Sequence, residues 1–352
     1  MATWLAALMF AMAMQQAPTA CPASPALGYV CGASHPEDIV QVPGTHWIIS
    51  SGFSPGEGLK LVDADAKTAT PFYIGAPEQI AADRTAYPMC PGPVDPTLFN
   101  ARGLGLRTLG AGRFRLLVVN HGGRESIEVF DVTSGASTPT IKWRGCLPMP
   151  PGHIGNAVAS FADGTVMTTV LTRPGTTITD FVEGRNTGGV WAWKPGAERF
   201  ELVPGTELPG NNGLEVDPDG QRFYVVAFGW HAVLVFDRRD TRQPLRKIVM
   251  PDFMPDNVHW TDGKLVAAGM RLDEPACGGL RKIVNGEADR MLCHRGYVVA
   301  SMDPQTGAVS TVAYGEPDAL FNGVSSGIIV GDTLWLGSYQ ADRLAYRPLH
   351  RP

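Results

Sequence analysis

Charge is scarce in this 352-residue chain: Asp, Glu, Lys and Arg make up 18% of it, and the formal net charge is −5. No lysine- or arginine-rich block occurs, which removes the electrostatic footprint that a nucleic-acid partner needs. Neither end carries an acidic or basic tail. The apolar run Trp4–Met14 is too short to cross a bilayer, so no stable membrane span is expected. GFSPG (52–56) and GVSSG (323–327) have the GxSxG spacing, but no helical pattern follows either, so there is no nucleophile elbow and an α/β-hydrolase is set aside; no P-loop or dinucleotide fingerprint occurs. None of the six cysteines forms a CxxC pair, and no His/Cys spacing matches a zinc site. Helical periodicity is nearly missing as well; only PEQIAADRTAY, from Pro77 to Tyr87, reads as a helix.

What the chain has instead is punctuation, with 41 Gly and 29 Pro. Between these breakers lie apolar runs of about 4–8 residues, among them HWIIS, RLLVVN, RFYVVAF, AVLVFD and DTLWLGSY. Many short strands separated by turn signals mean an all-β sandwich, barrel or propeller. A weak repeat decides among these. FADGTVMTTV, DPDGQRFYVVAF and IVGDTLWLGS set a Gly/Asp turn before a strand, whereas IEVFDVTSG, VLVFDRRD and VVASMDPQTG close a strand on Asp and a polar hairpin. The two patterns alternate, as inner and outer strands of propeller blades do. Dividing roughly 320 residues by six gives about 53 per blade, within the range of sheet repeats. The expected architecture is all-β, a six-bladed propeller with a central channel, spanning residues 21–352 as one domain.

Residues 1–20 are expected to be an export signal, apolar at first, then polar, then small up to Ala20. The alternative is a buried N-terminal helix, since no Lys or Arg precedes Trp4. A periplasmic or secreted location follows, and six cysteines suit disulfides there. Cleavage near Ala20 leaves Cys21 at the new terminus, where Pro18 makes PTAC a poor lipid-attachment box. Cys277 and Cys293 bracket a polar excursion that a bridge would staple. Cys90 and Cys146 lie in Pro-rich loops that a bridge would join, although connectivity stays open. A monomer is the default expectation.

Polar residues stand before each strand of the first kind. Glu37 and Asp38 precede VQVPGTHWIIS, Arg102 precedes LGLRTLG, and Asn156 precedes VASFADG. Asn212 precedes LEVDPDG, Asp256 and Asn257 precede VHWTDG, and Ser325 and Ser326 precede GIIVGD. They recur roughly every 45–70 residues, about once per blade. In a propeller such entrances converge on one mouth of the channel. Turn chemistry accounts for any one of these residues; it does not account for the series. Glu37, Asn156, Asn212, Asp256 and Asn257 offer only oxygen, which suits Ca²⁺ better than Mg²⁺ and does not suit Zn²⁺.

PEDIVQVPGTHWIISSGF, LLVVNHGGRESIEVF, NNGLEVDPDGQRFYVVAF and PDNVHW resemble the paraoxonase/arylesterase family and its SMP-30/gluconolactonase and strictosidine-synthase-like relatives. The likeness runs from about Glu37 to the closing GSYQADRLAYRPL. It implies a six-bladed propeller with Ca²⁺ in its channel that hydrolyses lactones or aryl esters. By position it makes Glu37, Asn156, Asn212, Asp256 and Asn257 the calcium ligands. Asp38 matches a ligand of a second, structural calcium, but Ala157 stands where that site's other side chain belongs, so one ion is expected. His121 matches one member of a catalytic histidine pair, and Arg102 replaces the other.

The implied chemistry is a small-molecule lactone or ester attacked by water, with Ca²⁺ polarising the carbonyl. His121 is the first candidate for general base, because imidazole exchanges protons near neutral pH. Asp256 or Glu37 is the second. Arg102 is a candidate for the oxyanion or for a substrate carboxylate, and His153, three residues before Asn156, for substrate binding. His259 and His35 read as packed-strand and loop residues. A strictosidine-synthase-like or isomerase reaction, and a non-catalytic ligand- or protein-binding propeller, are the alternatives.

Overall fold

The apolar runs are strands, and twenty-four of them form six four-stranded antiparallel sheets. The computed structural model describes residues 21–135, 137–261 and 263–349; the expected export signal, residues 1–20, lies outside them. The first strands of the six blades are Ile39–Gln41, Ala101–Gly110, Gly155–Ser160, Asn211–Val216, Phe253–Thr261 and Val324–Val330. The ring closes on itself: Gly28–Cys31 pairs antiparallel with Arg343–Pro348 as the outer strand of the sixth blade.

Blades are held together by burying both faces of their middle strands. In Arg222–Ala227, Phe223 and Val225 pack toward the third blade with Ala157, Ala159 and Met167. Tyr224 and Val226 point the other way and pack with Val258, Leu265 and Ala267 of the fifth. Because side chains alternate across a strand, a strand buried on both faces reads as an unbroken apolar run. That is why RFYVVAF shows no alternation.

Disulfides join Cys90 to Cys146 and Cys277 to Cys293, the two pairings suggested by the loops, and a third joins Cys21 to Cys31. The Cys21 sulfur is therefore engaged within the chain. Among the described residues no helix is long and apolar enough to cross a membrane.

The helix expected in PEQIAADRTAY does not form. Pro77–Gln79 makes a single 3-10 turn, and the backbone then runs beside the second blade. Ile80 forms a bridge to Trp143, and the Ala81 and Asp83 N–H groups donate to the carbonyls of Trp143 and Arg144. Pairing with a sheet edge satisfies those donors as a helix would. The one α-helix among the described residues, Ile178–Val182, is instead in the third blade, opened by a capping box between Thr177 and Asp180.

Chain direction sorts the loops. Each first strand begins at the channel mouth and runs away from it, and the second returns, so the loop joining second to third strand lies at the same mouth. That loop holds Phe53 in the first blade, His121 and Glu125 in the second, and helix Ile178–Val182 in the third. In the fourth it holds Phe228. In the fifth it is a long insertion carrying the hairpin Ile283–Val284 with Glu287–Ala288, turned at Asn285 (φ 54°) and Gly286 (φ 81°). An Asn-Gly pair with positive φ at both positions is the favoured two-residue hairpin turn.

Candidate functional site

In the second to sixth blades, though not at Glu37 and Asp38 of the first, the polar residues that open the first strands share a local device. Strand register shifts between Ala101 and Leu104, Gly155 and Val158, Asn211 and Leu214, Pro255 and Val258, and Val324 and Ser326. Arg102, Asn156, Asn212, Asp256 with Asn257, and Ser325 are the residues inside those shifts. A β-bulge takes a residue out of the ladder and re-aims its side chain. The pairs of short polar residues are thus bulges that turn side chains into the channel.

Glycine brings these strands close. A Cβ on Gly213 would lie 2.4 Å from the Asp256 carbonyl oxygen, and one on Gly103 would lie 2.3 Å from that of Asn156. These neighbours are backbone and cannot swing aside. Gly213→Ala is expected to part the fourth and fifth blades at this level, costing about 1–3 kcal/mol by urea titration, as overpacking does. An unchanged midpoint would refute the close approach.

Glu37, Asn156, Asn212, Asp256 and Asn257 are brought together, each with no more than 7% of its surface exposed. Glu37 Oε2, Asn156 Oδ1, Asn212 Oδ1 and Asp256 Oδ1 are buried without a hydrogen-bond partner. Asn257 braces the group, its Nδ2 donating to Glu37 Oε1 at 3.1 Å. Asn211, beside Asn212, has another role: its amide ties Thr206 O and Leu208 N and belongs to the fold. Four orphaned acceptor oxygens from four blades, two of them carboxylate, are a set that a hard cation satisfies and that protein donors here do not. Burial raises the Glu37 carboxyl to about 8; Arg102 opposes the rise, while Asp38 and Asp256 add to it. Burial likewise raises Asp256 to about 7, opposed by Arg102 and by hydrogen bonding from Asn212.

Arg102 approaches Glu37, Nε to Oε1 3.7 Å, and its guanidinium lies 4.3 Å over the Phe53 ring. The same ring meets His121 edge-on, with centroids 5.9 Å apart. His121 Nδ1 bonds Glu125 Oε2 at 2.8 Å. A carboxylate only accepts, so Nδ1 carries the proton and Nε2, buried and unpartnered, is left as an acceptor. Glu125, unmarked by any sequence signal beyond its place four residues after His121, is the residue that sets this tautomer. His153 goes elsewhere: its Nδ1 lies 3.0 Å from Pro151 O and its ring leans on Trp191 at 4.9 Å; neither it nor His121 is among the residues that line the cavity described below.

Asp38 is fully engaged one layer deeper. Its Oδ1 meets His259 Nε2 at 2.7 Å and accepts from Ile39 N, while Oδ2 accepts from Leu104 N. His259 Nδ1 lies 3.5 Å from Glu215 Oε1. Burial alone would lower the imidazole, yet Asp38 and then Glu215 outweigh it and raise His259 to about 10. Ala157 offers only its main chain, with N–H and C=O engaged by Thr169 and Thr168. Asp38 is therefore occupied by the His259 ring and two backbone N–H groups.

Above the oxygen set opens a cavity of about 690 Å³, with Arg102, Asn212 and Asp256 at its floor. Its walls are apolar (Leu171, Phe181, Phe228, Met270, Met291), and the blade-five insertion adds Arg281 and Arg290. Concave, mostly apolar space with a few convergent polar groups is what a small-molecule site requires.

No protein-family model matches the chain, and no curated protein matches it by sequence. Solved structures do. A gluconolactonase from Xanthomonas campestris is 15% identical with a TM-score of 0.52, over 92% of this chain and 89% of that one. A luciferin-regenerating enzyme is 13% identical with a TM-score of 0.51, over 92% of both chains. A structural-genomics target named after gluconolactonase is 14% identical with a TM-score of 0.51, over 94% of this chain and 96% of that one. The fold of this chain is a six-bladed β-propeller, and it shares that fold with these structures.

Proposed function

We propose that the protein is a calcium-dependent hydrolase of lactones or aryl esters, acting outside the cytoplasm as a monomer. The observation that carries this reading is the ring of orphaned buried oxygens beneath an apolar cavity. Glu37, Asn156, Asn212, Asp256 and Asn257 would hold the ion; bound there, Ca²⁺ supplies a Lewis acid for a carbonyl oxygen and a template for water.

The chain's own groups do the rest. The apolar walls hold the hydrocarbon part of the substrate and exclude bulk water. His121, oriented by Glu125, takes a proton from the attacking water at Nε2 and returns it to the departing alkoxide. The bond from carbonyl carbon to water oxygen forms, the bond to the alkoxy oxygen breaks, and acid and alcohol leave, joined in one molecule when the substrate is a lactone. Arg102, held flat on Phe53, keeps a positive charge beside the site and supports the developing oxyanion.

The test is turnover of a lactone and aryl-ester panel by the purified protein, with and without EDTA. Loss with EDTA and recovery with Ca²⁺ are expected. His121→Gln is expected to lower kcat by about 10²–10⁴-fold without weakening Ca²⁺ binding. An unchanged kcat would move proton transfer to Asp256, and no turnover on any substrate with Ca²⁺ bound would remove the hydrolase reading.

A further inference from the structure

The cavity carries one feature that ester hydrolysis does not need. Arg281 lies half-buried in its wall, on the insertion that the fifth blade sends over the channel mouth. Its Nε donates to the Asp289 carbonyl oxygen at 2.9 Å. Its two Nη groups make no hydrogen bond to the described residues, and no carboxylate lies within ion-pair distance of it among them. Burial lowers its pKa, with attraction from Tyr339 and Asp289 offsetting part of that. A half-buried guanidinium therefore stands here without an ion-pair partner among the described residues.

The insertion is held in place, so the charge is fixed. The Cys277–Cys293 disulfide closes its base, and its hairpin turns on Asn285 and Gly286. The Ala288 N–H donates to Thr179 Oγ1 of the blade-three helix at 3.0 Å. Met291 is buried against Phe181, Phe228 and Met270. Arg102, at the floor, is already engaged with Glu37 and Phe53, and Arg290 adds a second cation from the same segment. The acids lining the cavity are Asp256, which belongs to the oxygen set, and Glu287 on the hairpin.

We infer that the site takes a lactone or ester with an apolar body and a carboxylate at the end remote from the reacting carbonyl, the carboxylate being received in the fork of Arg281. Planar guanidinium and planar carboxylate pair through two parallel N–H···O bonds. In a low-dielectric wall such a pair discriminates strongly, because an uncharged analogue leaves the guanidinium unpaired. The metal set fixes the carbonyl end and Arg281 the acid end, so the substrate lies along the cavity. This inference rests on the hydrolase reading for the identity of the reacting group only.

Two measurements separate it from that reading. By calorimetry, the calcium-loaded protein is expected to bind 6-phenylhexanoate at least about tenfold more tightly than 6-phenylhexanamide. Arg281→Gln is expected to level the two affinities. Lys282→Gln, which removes the same charge one residue away and outside the cavity, is expected to keep the preference. In kinetics, mono-4-nitrophenyl glutarate is expected to exceed 4-nitrophenyl butyrate in kcat/KM by a similar factor, through KM. Equal affinities in the native protein, no binding of either probe, or a preference that survives Arg281→Gln would overturn the assignment. Equal hydrolysis of both esters would sink the carboxylate and leave the hydrolase standing. A carboxylate preference in calorimetry with no turnover of either ester would do the reverse.

Discussion

Glu37→Gln and Asp256→Asn are each expected to abolish the thermal stabilisation that Ca²⁺ gives the native protein and to lower turnover at least about 10³-fold. Calcium at a hundred times its Kd stabilises a folded protein by about 2.7 kcal/mol, enough to move the midpoint of a melt by several degrees. The expectation comes from the oxygens themselves. Glu37 Oε2, Asn156 Oδ1, Asn212 Oδ1 and Asp256 Oδ1 lack partners, so the metal-free fold carries mutual repulsion and lost hydration. Removing either carboxylate charge relieves that repulsion and at the same time removes the attraction for a cation. The metal-free variants should therefore melt no lower than the metal-free native protein, and they should stop responding to Ca²⁺.

The pH dependence has a definite sign. Both carboxyls are raised by burial, Glu37 from 4.5 to about 8 and Asp256 from 3.8 to about 7. Between those limits the native state binds more protons than the unfolded chain, so stability falls as pH rises. In EDTA the melting temperature should decline from about pH 4 to about pH 8, and saturating Ca²⁺ should flatten the slope. A metal-free melt that is level across this window, with no response to added Ca²⁺, would mean that the oxygens do not form a cation site.

Asp38→Ala is expected to cost about 3–5 kcal/mol in urea titration, the range for breaking a buried ion pair from one side. The change strips His259 of its 2.7 Å partner and leaves the Leu104 and Ile39 N–H groups without an acceptor. Glu215 remains, at 3.5 Å, too far to compensate. Adding His259→Leu should recover part of the loss, because it removes the uncompensated charge. The native pair also has its own pH signature. His259 is raised from 6.5 to about 10, so its contribution is complete below about 6.5 and disappears as pH climbs through 10. That arm should be missing from Asp38→Ala. A cost under about 1 kcal/mol would show the pair to be dispensable.

The propeller and the channel-facing oxygens were legible because both leave one-dimensional traces. Strands buried on two faces become short apolar runs, and a bulge in each of five blades becomes a polar residue or pair ahead of a strand. The bulge itself was hidden, since Asp256-Asn257 and Asn212-Gly213 read equally well as turns. The cavity walls were less visible. Helix Ile178–Val182 is too short for a 3.6-residue period, and its capping box is the only local mark. The Asn285-Gly286 hairpin was a readable turn signal inside a segment whose disulfide was anticipated, but nothing local says that this segment crosses to another blade. The helix expected after Pro77 failed because periodicity cannot register a neighbouring strand edge, here Trp143 and Arg144. Arg102 read as a candidate for the oxyanion or a substrate carboxylate; that Phe53 and Glu37, distant in sequence, engage it left no local trace.

The outer strand of the sixth blade comes from the opposite end of the chain, and this bears on when the molecule can finish folding. Gly28–Cys31 has no edge to join until Arg343–Pro348 exists, so a growing chain holds that strand in reserve until the sixth blade is made. Contacts between segments so far apart are the slow kind to form. The oxygen set is subject to the same schedule, because Glu37 and Asp38 sit just after that strand and take their backbone anchors from Ser325 and Ser51. Late ring closure therefore leaves the channel-facing oxygens unassembled until the sixth blade has formed.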